Sequence, residues 1–201
     1  MKIEAAIFDI GNVLVPFDWQ LAEQQIRLRI GNDTKEARDA FGLLQERFEI
    51  GQVSAGVFLQ SAIRILDFRG RSDEFAAIWN SIFSPNEDLE ESIVRLKESL
   101  PLYLLSNTSE LHLNYLKERF DIFRYFADGV YSFRAKCAKP DAKIFEMAAK
   151  QFGVAPARAI FVDDLAPNVE SAAACGIHAI QYDWRRHAEF TESVLHRLSR
   201  E

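Results

Sequence analysis

Residues 3–12 read Ile3-Glu4-Ala5-Ala6-Ile7-Phe8-Asp9-Ile10-Gly11-Asn12. The run up to Phe8 is short, mostly apolar and rich in β-branched and aromatic residues, and it breaks on Asp9. That pattern is a buried strand meeting a loop at its C-terminal end. Comparable runs recur at 102–105, 129–133, 159–162 and 178–182. Helical patterns lie between them. Leu89, Ile93, Leu96 and Leu100 mark one apolar face; Phe145, Ala148, Ala149 and Phe152 mark another, with Gly153 as its stop. Strands alternating with helices predict an α/β fold with a parallel sheet covered by helices on both faces.

Residues 17–84 break the alternation. They carry no convincing strand, and four helical patterns follow one another: Leu21, Ile26 and Ile30; Ala40, Leu43, Leu44 and Phe48; Val57, Phe58, Ala62 and Leu66; Phe75, Ile78 and Ile82. Gly31-Asn32-Asp33, Gly51-Gln52 and Arg69-Gly70-Arg71 punctuate them. The expected organisation is a core of residues 1–16 and 85–201 with an all-helical insertion at 17–84.

The 201 residues carry 24 Lys plus Arg against 30 Asp plus Glu, a net charge of −6. That sign argues against nucleic acid or an anionic membrane as the main partner, while leaving room for a local basic pocket. A chain of this length buries roughly 70% of its extended surface and needs no disulfide or structural metal to fold. Cys137 and Cys175 are too few for a disulfide framework or a metal cluster, and Cys175 reads as a small buried hydrophobe. Glu4 and Asp9 interrupt the first apolar run, so it is not a signal peptide, and no run approaches a membrane span. The expectation is a soluble, cytoplasmic protein.

In an open parallel sheet, ligands bind beyond the carboxyl ends of the strands. Asp9 follows the first strand, Ser106-Asn107-Thr108 the second and Lys139-Pro140-Asp141 the third, and Asp163-Asp164 follow the fourth. Each has an ordinary reading alone: a turn aspartate, a helix-capping serine, a solvated lysine, a pair of loop carboxylates. Together they would converge on one crevice. Clustered carboxylates repel and call for a cation, and oxygen ligands suit Mg²⁺. A hydroxyl, helix-start N–H groups and a lysine suit phosphate oxygens, and a carboxylate can act as a covalent nucleophile.

The four pieces, in this order, resemble the haloacid dehalogenase superfamily of phosphotransferases, with its Rossmann-like core and helical cap. The resemblance rests on Phe8-Asp9-Ile10-Gly11-Asn12-Val13-Leu14-Val15, Leu104-Leu105-Ser106-Asn107-Thr108, Lys139-Pro140-Asp141, and Phe161-Val162-Asp163-Asp164 with Asn168. The first and last are most similar to the branch that includes the bacterial α-D-glucose-1-phosphate phosphatases. The resemblance implies a Mg²⁺-dependent phosphatase acting on a small phosphorylated metabolite, such as a hexose 1-phosphate. It implies Asp9 as nucleophile and metal ligand, with the Gly11 carbonyl and Asp164 as further ligands. Ser106, the Asn107 N–H and Lys139 would hold the phosphoryl group, while Asp163 and Asn168 would support the site. Phe17 and Trp19, the cap aromatics nearest the catalytic loop in sequence, are the expected pocket lining. Pro140 would hold Lys139 extended and sit in the first turn of the next helix.

Gly11 departs from the family pattern, in which an Asp two residues after the nucleophile protonates the leaving oxygen. Losing such an acid costs on the order of 10² to 10⁴ in rate. An acidic leaving group, such as an anomeric hydroxyl, would need less help. Asp18 is the nearest substitute acid, although a helix N-cap is its ordinary role. Two other readings stay open. The superfamily's 2-haloacid dehalogenases also lack the second Asp, although they place a bulky Tyr there, and a non-catalytic member would bind a phosphorylated ligand without turning it over.

Overall fold

The structure is a computed structural model and describes residues 2–190; residues 191–201 of the expected core lie outside them. A five-stranded parallel sheet is built from β1 (Ala5–Phe8), β2 (Leu102–Ser106), β3 (Asp128–Tyr131), β4 (Ala159–Asp163) and β5 (His178–Gln181). The strand order is β3-β2-β1-β4-β5, with Ala6 opposite Leu102 on one side and Ile160 on the other. The chain leaves β1 towards β2 and β3, then returns to place β4 on β1's other side. The switch in direction therefore lies beside β1, where this architecture opens a crevice at the carboxyl ends.

The two faces of β1 fill two cores. Phe8, Leu104 and Val162 pack with Ile93 and Leu96 of α5 (Glu87–Lys97) and Leu113 and Leu116 of α6 (Glu110–Arg119). Ile7, Leu105 and Phe161 pack with Ile144, Phe145 and Ala148 of α8 (Ala142–Phe152) and Ala172 of α9 (Ala166–Ala174). Neighbours in a strand face opposite sides, so strands covered on both faces read as continuous apolar runs.

Between β1 and α5 lie α1 (Trp19–Arg27), α2 (Lys35–Glu49), α3 (Ala55–Leu66) and α4 (Ser72–Asn80). Asp18, Thr34 and Ser54 cap the first three by accepting from backbone N–H groups. These helices share a third core centred on Phe48, Phe58, Phe75 and Trp79. The segments that enter and leave this layer run side by side: Asp18 N–H donates to Ile82 O at 2.9 Å, and Ser84 N–H to Pro16 O at 2.9 Å.

Several sequence expectations need correction. The third strand ends at Tyr131, because Ser132 and Phe133 turn into the short α7 (Ser132–Ala135). The Ser132 hydroxyl, held between Thr108 and the Glu49 carbonyl, fixes that turn. The first strand starts at Ala5 rather than residue 3, and the last ends at Gln181. Leu21, Leu43 and Val57 are exposed, since the buried faces of their helices run through Ala22, Leu44 and Phe58 one position on. Pro140 precedes its helix, because Asp141 is the N-cap of α8. Cys175 is only partly buried, and both cysteines are free thiols. No helix among the described residues is long and apolar enough to cross a membrane.

Candidate active site

Asp9 sits directly after β1 and Asp163 closes β4, so the parallel pairing of these strands brings the two acids together. Asp164 follows in the next turn. Ligand oxygens of Asp9, Asp163 and Asp164 all lie within 4.8 Å of one another. Asp9 and Asp163 are buried, and Asp164 is half-buried.

Lys139 reaches this cluster from the turn before α8. Its Nζ lies 2.9 Å from Asp9 Oδ1, 2.6 Å from Asp163 Oδ2 and 2.9 Å from the Leu105 carbonyl. The side chain is 1% exposed, which removes the surface-lysine reading. Asn107 clamps the lysine's backbone: its Nδ2 donates to Lys139 O and its Oδ1 accepts from Lys139 N–H, both at 2.8 Å. The ammonium donates to Asp163 and to the Leu105 carbonyl and pairs by charge with Asp9, which leaves one of its three donors for a further acceptor.

The carboxylates are occupied unequally. Asp163 accepts from Lys139, from Asn168 Nδ2 at both of its oxygens (2.9 and 3.1 Å) and from Leu165 N–H at 2.9 Å. That saturation makes it a strut for Lys139, and Asn168, buried on α9, holds it. Asp9 Oδ1 is buried yet accepts no well-aligned hydrogen bond among the described residues. Burial pushes the Asp9 carboxyl up to about 6, with Lys139 opposing, Asp163 adding to the rise, and the Ser106 hydroxyl opposing. Burial also raises Asp164, against a hydrogen bond from Asn12.

Three carboxylates against one ammonium leave two negative charges in a partly dry site, and the least satisfied oxygens belong to Asp9 and Asp164. This donor set fits a hard divalent cation, which takes oxygen ligands. The bridge between Gly11 and Val15 uses Ile10 O and Asn12 N–H, leaving the Gly11 carbonyl outside that pairing.

Phe17 covers the loop. A Cβ built on Gly11 would lie 2.8 Å from Phe17 Cε1 and 3.3 Å from Cδ1, so the ring fills the space a side chain at residue 11 would need. Trp19 packs edge-on against Phe17 and at a tilt against Trp79 and His112, which stack on each other. It also lines a cavity of about 310 Å³ with Ala22, Ile26, Phe41 and Trp79. Asp18 is exposed and accepts from Gln20 N–H at 2.9 Å, its N-cap role. Ser106 is buried at the end of β2 and Asn107 is exposed beyond it; Ser109, not Ser106, caps α6.

Sequence reading missed three residues that bind the site to the helical layer. Asn12, at φ 53°, donates from Nδ2 to Asp164 Oδ2 at 3.2 Å and accepts from Phe17 N–H at Oδ1 at 3.4 Å. Buried His112 on α6 meets the Trp79 carbonyl at 3.2 Å, and burial holds its ring down at about 4, with that carbonyl opposing. Ser132 ties Thr108 to the end of α2. An Asn in a tight polar loop was the only available signal, and it pointed to Asn12 alone.

Comparison with known proteins places this arrangement. A phosphatase of Mycobacterium tuberculosis is 28% identical, aligned over 99% of this chain and 95% of its own. The mouse acyl-CoA dehydrogenase family member 10 is 27% identical over 89% of this chain, which spans only 18% of that protein. A haloacid dehalogenase family enzyme of Bacteroides thetaiotaomicron, solved in complex with magnesium and inorganic phosphate, superposes with a TM-score of 0.80 at 24% identity. That superposition covers 90% of this chain and 94% of the other. Residues 3–176 match the model of the haloacid dehalogenase-like hydrolases, and the chain belongs to that family.

Proposed function

We propose that the chain is a Mg²⁺-dependent phosphatase that transfers the phosphoryl group of a small phosphorylated metabolite to Asp9 and then to water. The observation that carries this reading is Asp9 itself: a buried carboxylate beside Lys139 whose Oδ1 lacks a well-aligned hydrogen bond. The magnesium and phosphate held by the Bacteroides enzyme are consistent with it. Asp9, Asp164 and the Gly11 carbonyl would hold Mg²⁺, which would neutralise charge between the carboxylates and a phosphate dianion.

In the first step the Asp9 carboxylate attacks phosphorus, the bond to the leaving oxygen breaks, and an aspartyl phosphate forms. Ser106, the Asn107 N–H and Lys139 hold the equatorial oxygens, where charge develops in the transition state. Lys139 is set for this by Asp163 and by the Asn107 clamp. The leaving oxygen takes its proton from solvent; water then attacks phosphorus and gives up a proton to solvent, and the bond to Asp9 breaks to release inorganic phosphate and the free carboxylate. Phe17 stands where an acid would project from residue 11, so the leaving group departs without a carboxylic acid at that position. This favours an acidic leaving group, as in a hexose 1-phosphate.

A phosphate-release screen across sugar phosphates and nucleotides tests the reading, with Mg²⁺ or chelator and with halide release from 2-chloropropionate alongside. Mg²⁺-dependent release, faster from 1-phosphates than 6-phosphates, is expected. Chelator-insensitive halide release would make the chain a dehalogenase, and phosphate binding without turnover a non-catalytic member.

A further inference from the structure

We propose that Asn12 is a positioning residue that aims Asp164 at the metal and couples it to the backbone of Phe17, where the chain enters the helical layer. The proposal rests on the phosphatase reading of the site.

The Asn12 amide spans the two partners, donating to Asp164 at 3.2 Å and accepting from the Phe17 N–H at 3.4 Å. A carboxylate only accepts and a backbone N–H only donates, so the amide has one orientation that serves both. Asp, with no donor when ionised, cannot repeat this two-ended contact. The backbone of Asn12 sits at φ 53°, a region that Asn tolerates better than most side chains.

The contact lies at a junction. Phe17 pairs with Phe83 where the two connecting segments run antiparallel, and its ring covers Gly11. One side chain therefore fixes a carboxylate of the site and the start of the segment whose ring closes over the loop. Partners of this kind, which hold a metal ligand without touching the metal, typically change affinity or activity ~10- to 100-fold when removed.

Asn12→Gly removes the amide while keeping the positive φ accessible. Isothermal calorimetry with Mg²⁺ alone on the full chain should show affinity weakened at least ~10-fold, the lower end for such partners. Hydrogen exchange read at the Phe17 amide adds a measurement that a merely structural role would leave unmoved. Mg²⁺ should slow that exchange in the native chain and not in Asn12→Gly. Asn12→Asp keeps the acceptor and should keep Phe17 protected without metal, where Asn12→Gly does not. Native Mg²⁺ affinity in Asn12→Gly, or equal Phe17 exchange in both variants, overturns the proposal. Asp164→Asn separates the two ideas: if it alone abolishes Mg²⁺ binding, only the role of Asn12 fails. If it binds Mg²⁺ like the native chain, the phosphatase reading of the site fails with it.

Discussion

Adding a side chain to residue 11 should damage the protein unless Phe17 is cut back at the same time. The Cβ of Gly11→Ala would stand 2.8 Å from Phe17 Cε1, closer than such atoms come in real proteins. The ring has little freedom to retreat: it packs edge-on against Trp19 and Phe83, and Asn12 holds its N–H. Overpacking of this kind costs about 1–3 kcal/mol. For a chain of this size each kcal/mol moves the melting temperature by about 2–4 °C, so a fall of roughly 2–12 °C is expected. A thermal-unfolding cycle of the native chain, Gly11→Ala, Phe17→Ala and the double variant isolates the contact. The penalty at residue 11 should largely vanish in the Phe17→Ala background. Gly11→Asp should follow the same rule, losing activity alone. With Phe17→Ala it should gain on unactivated 6-phosphates, by no more than the ~10² to 10⁴ of general acid catalysis. A Gly11→Ala chain as stable as the native one, whatever stands at residue 17, would refute the account of why the acid is missing.

Lys139→Met should destabilise the fold by about 3–5 kcal/mol, because it strands the buried Asp163 and Asp9 charges. Adding Asp163→Asn should recover part of that loss in thermal unfolding, and a stable single variant would show that the pair is not buried in solution. For the metal-free chain, the Asp9 carboxyl at about 6 lies above its ordinary 3.8, so the folded state holds the proton more tightly. Its contribution therefore falls as pH rises from about 4 to about 6, by on the order of 3 kcal/mol at 1.36 kcal/mol per unit. Mg²⁺ binds the ionised form and should raise the melting temperature more at pH 7.5 than at pH 5; an equal rise at both would place Asp9 outside the metal site.

The sequence announced the sheet because each strand is an apolar run bounded by polar residues, and parallel pairing then carries the residues after β1 and β4 into one place. Asp9, Asp163 and Asp164 were legible for that reason: their position at strand ends is a local property, whereas Lys139, in the turn before α8, was legible through its Lys-Pro-Asp motif. The use each makes of its neighbours was not. Asn107 reads as a phosphate contact through its backbone N–H, and nothing local announces that its side chain clamps Lys139, 32 residues away. Gly11 reads as a missing acid, and only the packed structure shows an aromatic ring in the vacated space. On α1, α2 and α3 the expected faces hold at Ile26, Leu44, Phe48, Phe58, Ala62 and Leu66, whereas Leu21, Leu43 and Val57, expected on the same faces, are exposed. Adjacent apolar residues satisfy the same helical stripe, and tertiary packing selects between them.

Rapid acid quench of the Mg²⁺-loaded chain turning over an aryl phosphate, followed by mass spectrometry of the peptide that contains Asp9, tests the central claim most directly. A phosphoryl group on Asp9 that appears within the first turnover and is absent in chelator is the predicted result. Sustained phosphate release while Asp9 stays unmodified, or full turnover in Asp9→Asn, would contradict it.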